Sequence, residues 1–341
     1  MTVKPLSFAL AATLAMVAGC SGASTPTPNV PADASLTAYP LGVVAGTTAH
    51  QHSGFAPLAR HVALAKVPKG TALLYVSDSP GEAIDVFKQG GKNQSPIGTI
   101  TSLNRPAGIT VDLQGNLYVA NESKIGSSYN VDVFAPGATA PTKVYDTDLS
   151  SPTDVAVAKD GTVYVSNFNE LSNGWVTVYP KGDASKEYRL SDFGGGAPLT
   201  LALDRKNDLY VMYDLNATGS SAVNEYRPGA TTGTNLNLVF HWGGGIQVDA
   251  KGNIVLAQQL QPSEINVYPP GQTQPAQSIQ LPNGDSPFEI ALNHAGKALF
   301  AADDTLMDRI AYPSGNFKYT LAGGFEEAAG VAVSPAQYAR R

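Results

Sequence analysis

Two acids occupy equivalent places in a repeated pattern, and chemistry would be sought there first. Six segments of this 341-residue chain open alike, and the third residue of each is Gly108, Asp154, Thr200, Gly245, Glu289 or Gly330. Asp154 and Glu289 are the acids of that set. A carboxylate can accept a proton, hold a cation or orient a polar ligand. A second polar set lies further along each segment: Asp78, Asn121, Asn167, Tyr213, Gln258 and Asp303. The two sets together would make a polar, cation-tolerant rim; such side chains also bond nearby backbone N–H groups in turns. Aromatic residues precede several segments: Phe193, Trp242, Phe288 and Phe325, with Trp175 in a neighbouring loop. They would form a stacking platform for a sugar or apolar ligand, or anchor loops by packing. The candidate ligand-binding residues are therefore Asp154, Thr200, His241, Trp242, Glu289, Asn121, Asn167 and Asp303. No catalytic residue is assigned, because no nucleophile–base pair is visible. The chain lacks a Gly-x-Ser-x-Gly elbow, a Walker loop, zinc-ligand spacing and a Rossmann fingerprint. No cofactor is expected beyond a divalent cation that the acids would accept. His50-Gln51-His52 has the types of a metal pair but lies in the approach to the repeats.

These residues must be placed by strands. The segments start at Pro106, Pro152, Pro198, Gly243, Pro287 and Ala328, spaced 46, 46, 45, 44 and 41 residues apart. A period of about 40–45 residues matches one four-stranded propeller blade. The first strand of each unit alternates, as in Ile109/Val111, Val155/Val157, Leu201/Leu203 and Ile246/Val248. A turn with Gly or Asn follows, as in Gln114-Gly115-Asn116 and Lys251-Gly252-Asn253; both residues tolerate the positive φ of tight hairpins. Second strands read Leu117-Tyr118-Val119 or Val163-Tyr164-Val165, and third strands end in Phe134, Tyr179, Tyr226, Tyr268 or Tyr312. A weaker fourth strand completes each unit. The expected fold is all-β: a six-bladed β-propeller of four-stranded antiparallel blades.

On that fold the inner strands begin at the mouth of a central channel. Asp154 and Glu289 would stand three blades apart on opposite walls, too far for one ion to bind both easily. Glycines at three of the six mouth positions would leave room for a ligand, and Asp154→Ala would weaken binding with little change in melting temperature. His241-Trp242-Gly243-Gly244-Gly245 is the most irregular copy; glycine there lets backbone or ligand approach closely. The last copy, Gly330-Val331-Ala332-Val333, has no strand after it, so it is expected to complete the N-terminal blade. Val62-Ala63-Leu64-Ala65 is the rival for that place. Either closure removes an open sheet edge.

The expected organisation is 1–19 as a signal peptide, 20–57 as a lipidated cysteine and tether, 58–337 as the propeller and 338–341 as a tail. Lys4, an apolar run from Leu6 to Val17 and Val17-Ala18-Gly19-Cys20 resemble a bacterial lipoprotein signal, in which Cys20, the one cysteine, carries the lipid. The run is too short to span a membrane. Residues 21–57 are rich in Ser, Thr, Pro, Ala and Gly, as in a flexible tether. The expected location is the cell envelope, facing periplasm or exterior. Net charge is −6 with no basic patch, which argues against nucleic acid as a partner. A monomer is expected, with the membrane and a protein or small molecule as partners.

Pro106-Ala107-Gly108-Ile109-Thr110-Val111-Asp112-Leu113-Gln114-Gly115-Asn116-Leu117-Tyr118-Val119-Ala120-Asn121 and its copies resemble NHL-type repeats and related six-bladed propellers, among them SMP-30/gluconolactonase-like enzymes. The resemblance covers about four-fifths of the chain. The lactonase branch holds a divalent cation through Glu, Asn and Asp at channel-facing positions. Glu289 and Asp154 match by type, and no Asn stands at an equivalent inner-strand position. The expected function is a ligand- or protein-binding, scaffolding module, with a metal-dependent hydrolase or lactonase as the alternative.

Overall fold

The computed structural model describes residues 70–338 apart from 93, 126–127, 170–173, 216–219, 260–262, 283–285, 304 and 323. Cys20, His50, His52 and the Val62–Ala65 segment lie outside the described residues.

Among the described residues, twenty-four strands form six four-stranded antiparallel sheets. The first sheet holds β1 (Leu73–Asp78), β2 (Ala83–Lys88) and β3 (Gly98–Ile100). The second holds β4 (Pro106–Val111), β5 (Leu117–Ile125), β6 (Ser128–Phe134) and β7 (Lys143–Tyr145). The third holds β8 (Pro152–Val157), β9 (Val163–Asn167), β10 (Trp175–Tyr179) and β11 (Tyr188–Leu190). The fourth is β12 (Ala197–Leu203), β13 (Leu209–Leu215), β14 (Ser220–Tyr226) and β15 (Thr234–Asn235). The fifth is β16 (Gly243–Val248), β17 (Ile254–Gln258), β18 (Glu264–Tyr268) and β19 (Gln277–Gln280). The sixth is β20 (Glu289–Leu292), β21 (Ala298–Asp303), β22 (Leu306–Ala311) and β23 (Asn316–Ala322). Finally β24 (Ala328–Ser334) returns to pair with β1 as the inner strand of the first sheet. The C-terminal strand therefore closes the ring, with Leu74 opposite Val333 and Val76 opposite Val331.

The inner strands touch in cyclic order: β24, β4, β8, β12, β16, β20 and back to β24. Both faces of each sheet are covered by neighbouring sheets, so strands such as β9 and β21 are buried along their whole length. Six apolar clusters fill the six gaps between blades, such as Phe87, Phe300, Met307 and Val331 between the sixth and first. The third-strand aromatics are among the largest buried side chains, including Phe87, Tyr179, Tyr226 and Tyr268. The tyrosine hydroxyls among them reach the linker that enters their blade: Tyr268 donates to the Val239 carbonyl at 2.9 Å, and Tyr179 to that of Thr147. Each of these two rings thus fills an inter-blade gap while its polar tip is satisfied.

The inner hairpins turn as their residues require. Gly115, Gly161, Asn207, Gly252 and Gly296 all have positive φ, between 61° and 90°. Asp112, Asp204 and Asp249 each accept two turn N–H groups through Oδ1, two and four residues ahead, at 2.7–2.9 Å. Register shifts interrupt the inner pairing near the third position, as between Pro152 and Asp154 or Pro198 and Thr200. Such bulges turn backbone groups away from the ladder, toward the channel.

Candidate functional site

The bulged third positions meet at a constriction of the channel. Asp154, 3% exposed, accepts the N–H of Val155 through Oδ1 and that of Leu201 through Oδ2, both at 2.7 Å. Leu201 belongs to the next blade, so this carboxylate joins two blades across their bulges. Glu289, 5% exposed, accepts the Ile290 N–H at 2.9 Å. Thr200 donates to the Gly244 carbonyl at 2.8 Å, again across a blade boundary. Burial pushes Asp154 up to about 7, although its two backbone bonds act in the opposite sense. Burial also raises Glu289 well above the usual carboxylate range, and the charge of Asp154 adds to that rise. The two acids, three blades apart, thus influence each other's ionisation through their charge.

The glycines beside them have a different reason from the one the sequence suggested. A Cβ on Gly108 would lie 2.4 Å from Asp154 Oδ1 and 2.7 Å from the Thr153 carbonyl oxygen. On Gly330 it would lie 2.3 Å from the Ala107 carbonyl, and on Gly245 2.4 Å from the Ile290 nitrogen. Glycine here lets inner strands approach closely; it does not open space for a ligand.

Beyond the acids, toward the inner hairpin turns, lies a cavity of about 120 Å³. Val111, Val157, Leu203 and Val333 wall it, Asp154 and Glu289 lie at its inner end, and Lys159, Asp204 and Tyr338 border it. It lies on the opposite side of the constriction from the mouth where the inner strands begin.

The residues that end the second strands hold loops in place. Asn121 accepts the Asn104 N–H at 3.1 Å, Asn167 that of Ser150 at 2.9 Å and Gln258 that of His241 at 3.0 Å, each 17 residues back. Asp78 accepts the N–H groups of Glu326 and Glu327 at 2.9 and 3.1 Å. Asn121 also donates to Asp132 at 2.9 Å, and Asn167 to Thr177 Oγ1 at 3.0 Å. Asn121 and Asn167 are fully buried. Asp303 is buried, and its Oδ2 finds no hydrogen-bond partner. Asn121, Asn167, Gln258 and Asp78 thus clamp four of the loops that enter inner strands.

A second bond completes the clamp. The residue before the inner strand adopts left-handed φ, 55° at Arg105, 43° at Ser151 and 44° at Trp242. Its carbonyl accepts the N–H of Glu122, Phe168 or Gln259 at 2.9–3.1 Å. Trp242 therefore repeats a shared backbone geometry, and only its side chain is unusual. Trp242 is half-buried and His241 exposed. The remaining aromatics are buried: Phe193, Phe288 and Phe325 pack beside the inner strands, and Trp175, expected in a loop, opens β10 opposite Asn167. Trp175 also carries the Arg189 guanidinium on its ring at 3.8 Å, while Arg189 binds Asp148 with bonds of 2.9 and 2.8 Å.

One pair was not anticipated. Arg105 stands 3.6 Å from Glu122 on the mouth face. Burial pushes Glu122 up to about 7; Arg105 opposes the rise and Glu327 adds to it. The repeat contained the signal, since Glu122 directly follows the clamping Asn121.

No protein-family model matches the chain, and no curated protein matches it. Solved structures do. A chain from a nidogen/laminin complex aligns with TM-score 0.59 and 17% identity over 79% of this chain and 100% of its own. Kuenenia stuttgartiensis hydrazine synthase aligns with TM-score 0.55 and 14% identity over 76% of this chain and 86% of its own. The fold is a six-bladed β-propeller. At these identities the likeness extends to the fold alone.

Proposed function

We propose that this protein is a lipid-anchored β-propeller of the cell envelope, tethered through Cys20, that binds a protein or ligand on the face where its inner strands begin. The observation that carries this reading is the repeated loop clamp, which holds Arg105, His241 and Trp242 on that one face. Arg and Trp dominate interface hot spots, and rigid presentation lowers the entropic cost of binding. The propeller of similar fold from a nidogen/laminin complex lends the protein-binding reading support by analogy.

The repeats' resemblance to the NHL and SMP-30-like types keeps a second reading, a metal-dependent lactonase. The observation in its favour is the presence of two buried acids, Asp154 and Glu289, at one end of a cavity. A panel of lactones and esters, assayed with several divalent cations, separates the two. The binding reading expects background rates; turnover that disappears in Glu289→Gln would establish the hydrolase.

A further inference from the structure

After β24 ends at Ser334 the chain crosses the channel on the side of the inner hairpin turns. Ala336, Gln337 and Tyr338 border the central cavity. Each is tied to another blade. The Ala336 carbonyl meets His294 Nδ1 at 3.1 Å in the sixth blade. Gln337 Nε2 donates to the Val248 carbonyl at 3.1 Å in the fifth. The Tyr338 hydroxyl donates to the same carbonyl and lies 3.3 Å from that of Asp249. Over the Tyr338 ring stand Lys159 of the third blade, 5.9 Å from its centroid, and Arg205 of the fourth, at 5.4 Å. Ala336 and Gln337, placed by sequence at the propeller's end, and Tyr338, placed in the tail, thus span from the first blade to four others.

We propose that residues 335–338 form a strap that gates the central cavity, with Tyr338 as its latch. The bonds named above run from side chains to backbone carbonyls, so the strap can lift without parting the strands of any blade. When it is down, Tyr338 separates Asp154 and Glu289 from solvent on this side. When it lifts, the cavity opens and small polar solutes reach the acids past Lys159 and Asp204.

The test is carbodiimide coupling of glycinamide to carboxylates in the full chain, read residue by residue by mass spectrometry. Tyr338→Ala is expected to raise the labelling rate at Glu289 at least tenfold over wild type. Asp132, buried where Asn121 and Asn130 bond it, is the control and should label at the wild-type rate. Equal Glu289 rates in wild type and Tyr338→Ala overturn the gate. If Asp132 labels faster as well, the blades themselves have opened, and Tyr338→Phe decides. That variant keeps the ring between Lys159 and Arg205 and loses only the hydroxyl bonds. Faster labelling of Glu289 alone in Tyr338→Phe supports the latch, and an unchanged rate overturns it.

Discussion

Asp154 accepts the backbone N–H groups of two buried inner-strand residues, Val155 and Leu201. Removing its carboxylate would leave both buried and unpaired, at about 1–3 kcal/mol each. Asp154→Ala is therefore expected to lose about 2–6 kcal/mol of stability in urea titration, with Asp154→Asn losing less because it keeps an acceptor. This reverses the expectation from sequence that the change would leave melting nearly untouched. The same site sets a pH dependence. The folded protein binds a proton at Asp154 more tightly than the unfolded chain does, because burial raises the value from 3.8 to about 7. Stability from this group is full below about pH 4 and is lost as pH rises through 7; Glu289 and Glu122 act in the same sense. Melting temperature should fall between pH 5 and pH 8, and Glu289→Gln should flatten that fall. A wild-type melting temperature that rises over this interval would contradict the burial of the pair.

At the scale of elements, the sequence made the strands legible because each unit repeats its own alternation, turn and aromatic. Gly115, Gly161 and Gly252 turn as their type demands, and Tyr179 and Tyr268 fill the gaps between blades. The meaning of Gly108, Gly245 and Gly330 was not legible. Their neighbours come from the next blade, more than 40 residues away for each, and no local pattern reports such an approach. The clamp of Asn121, Asn167 and Gln258 was legible only as one of two readings, since an amide bonds a ligand or a loop with the same atoms. Closure is the element-scale claim with the clearest consequence. β24 supplies the inner strand of the first blade. Deleting residues 328–341 bares the edge of β1 and removes Ala328, Val331 and Val333 from the cluster around Phe300. Loss of a single cooperative melting transition, or aggregation, is expected by calorimetry and light scattering. A truncated chain that melts like wild type would give the inner-strand place to Val62–Ala65.

At the scale of the molecule, the ring puts its two ends to different uses. One side of the constriction holds an acid-floored cavity crossed by Tyr338; the other presents clamped loops with Arg105, His241 and Trp242. The proposed lipid at Cys20 would confine that second face to the envelope, where weak contacts gain from local concentration. Cys20→Ser should move the protein from the membrane to the soluble fraction and remove any acyl mass from its N-terminus. Unchanged detergent partitioning would contradict the anchor. Which face binds is tested most directly by a photo-crosslinking residue placed at position 242 in one variant and at position 247, whose Gln247 borders the cavity, in another, each irradiated in intact cells. The expected result is a discrete adduct from position 242 that disappears when Arg105→Ala is added, and no adduct from position 247. An adduct formed from position 247 alone would place the binding site in the cavity and contradict the assignment to the clamped face.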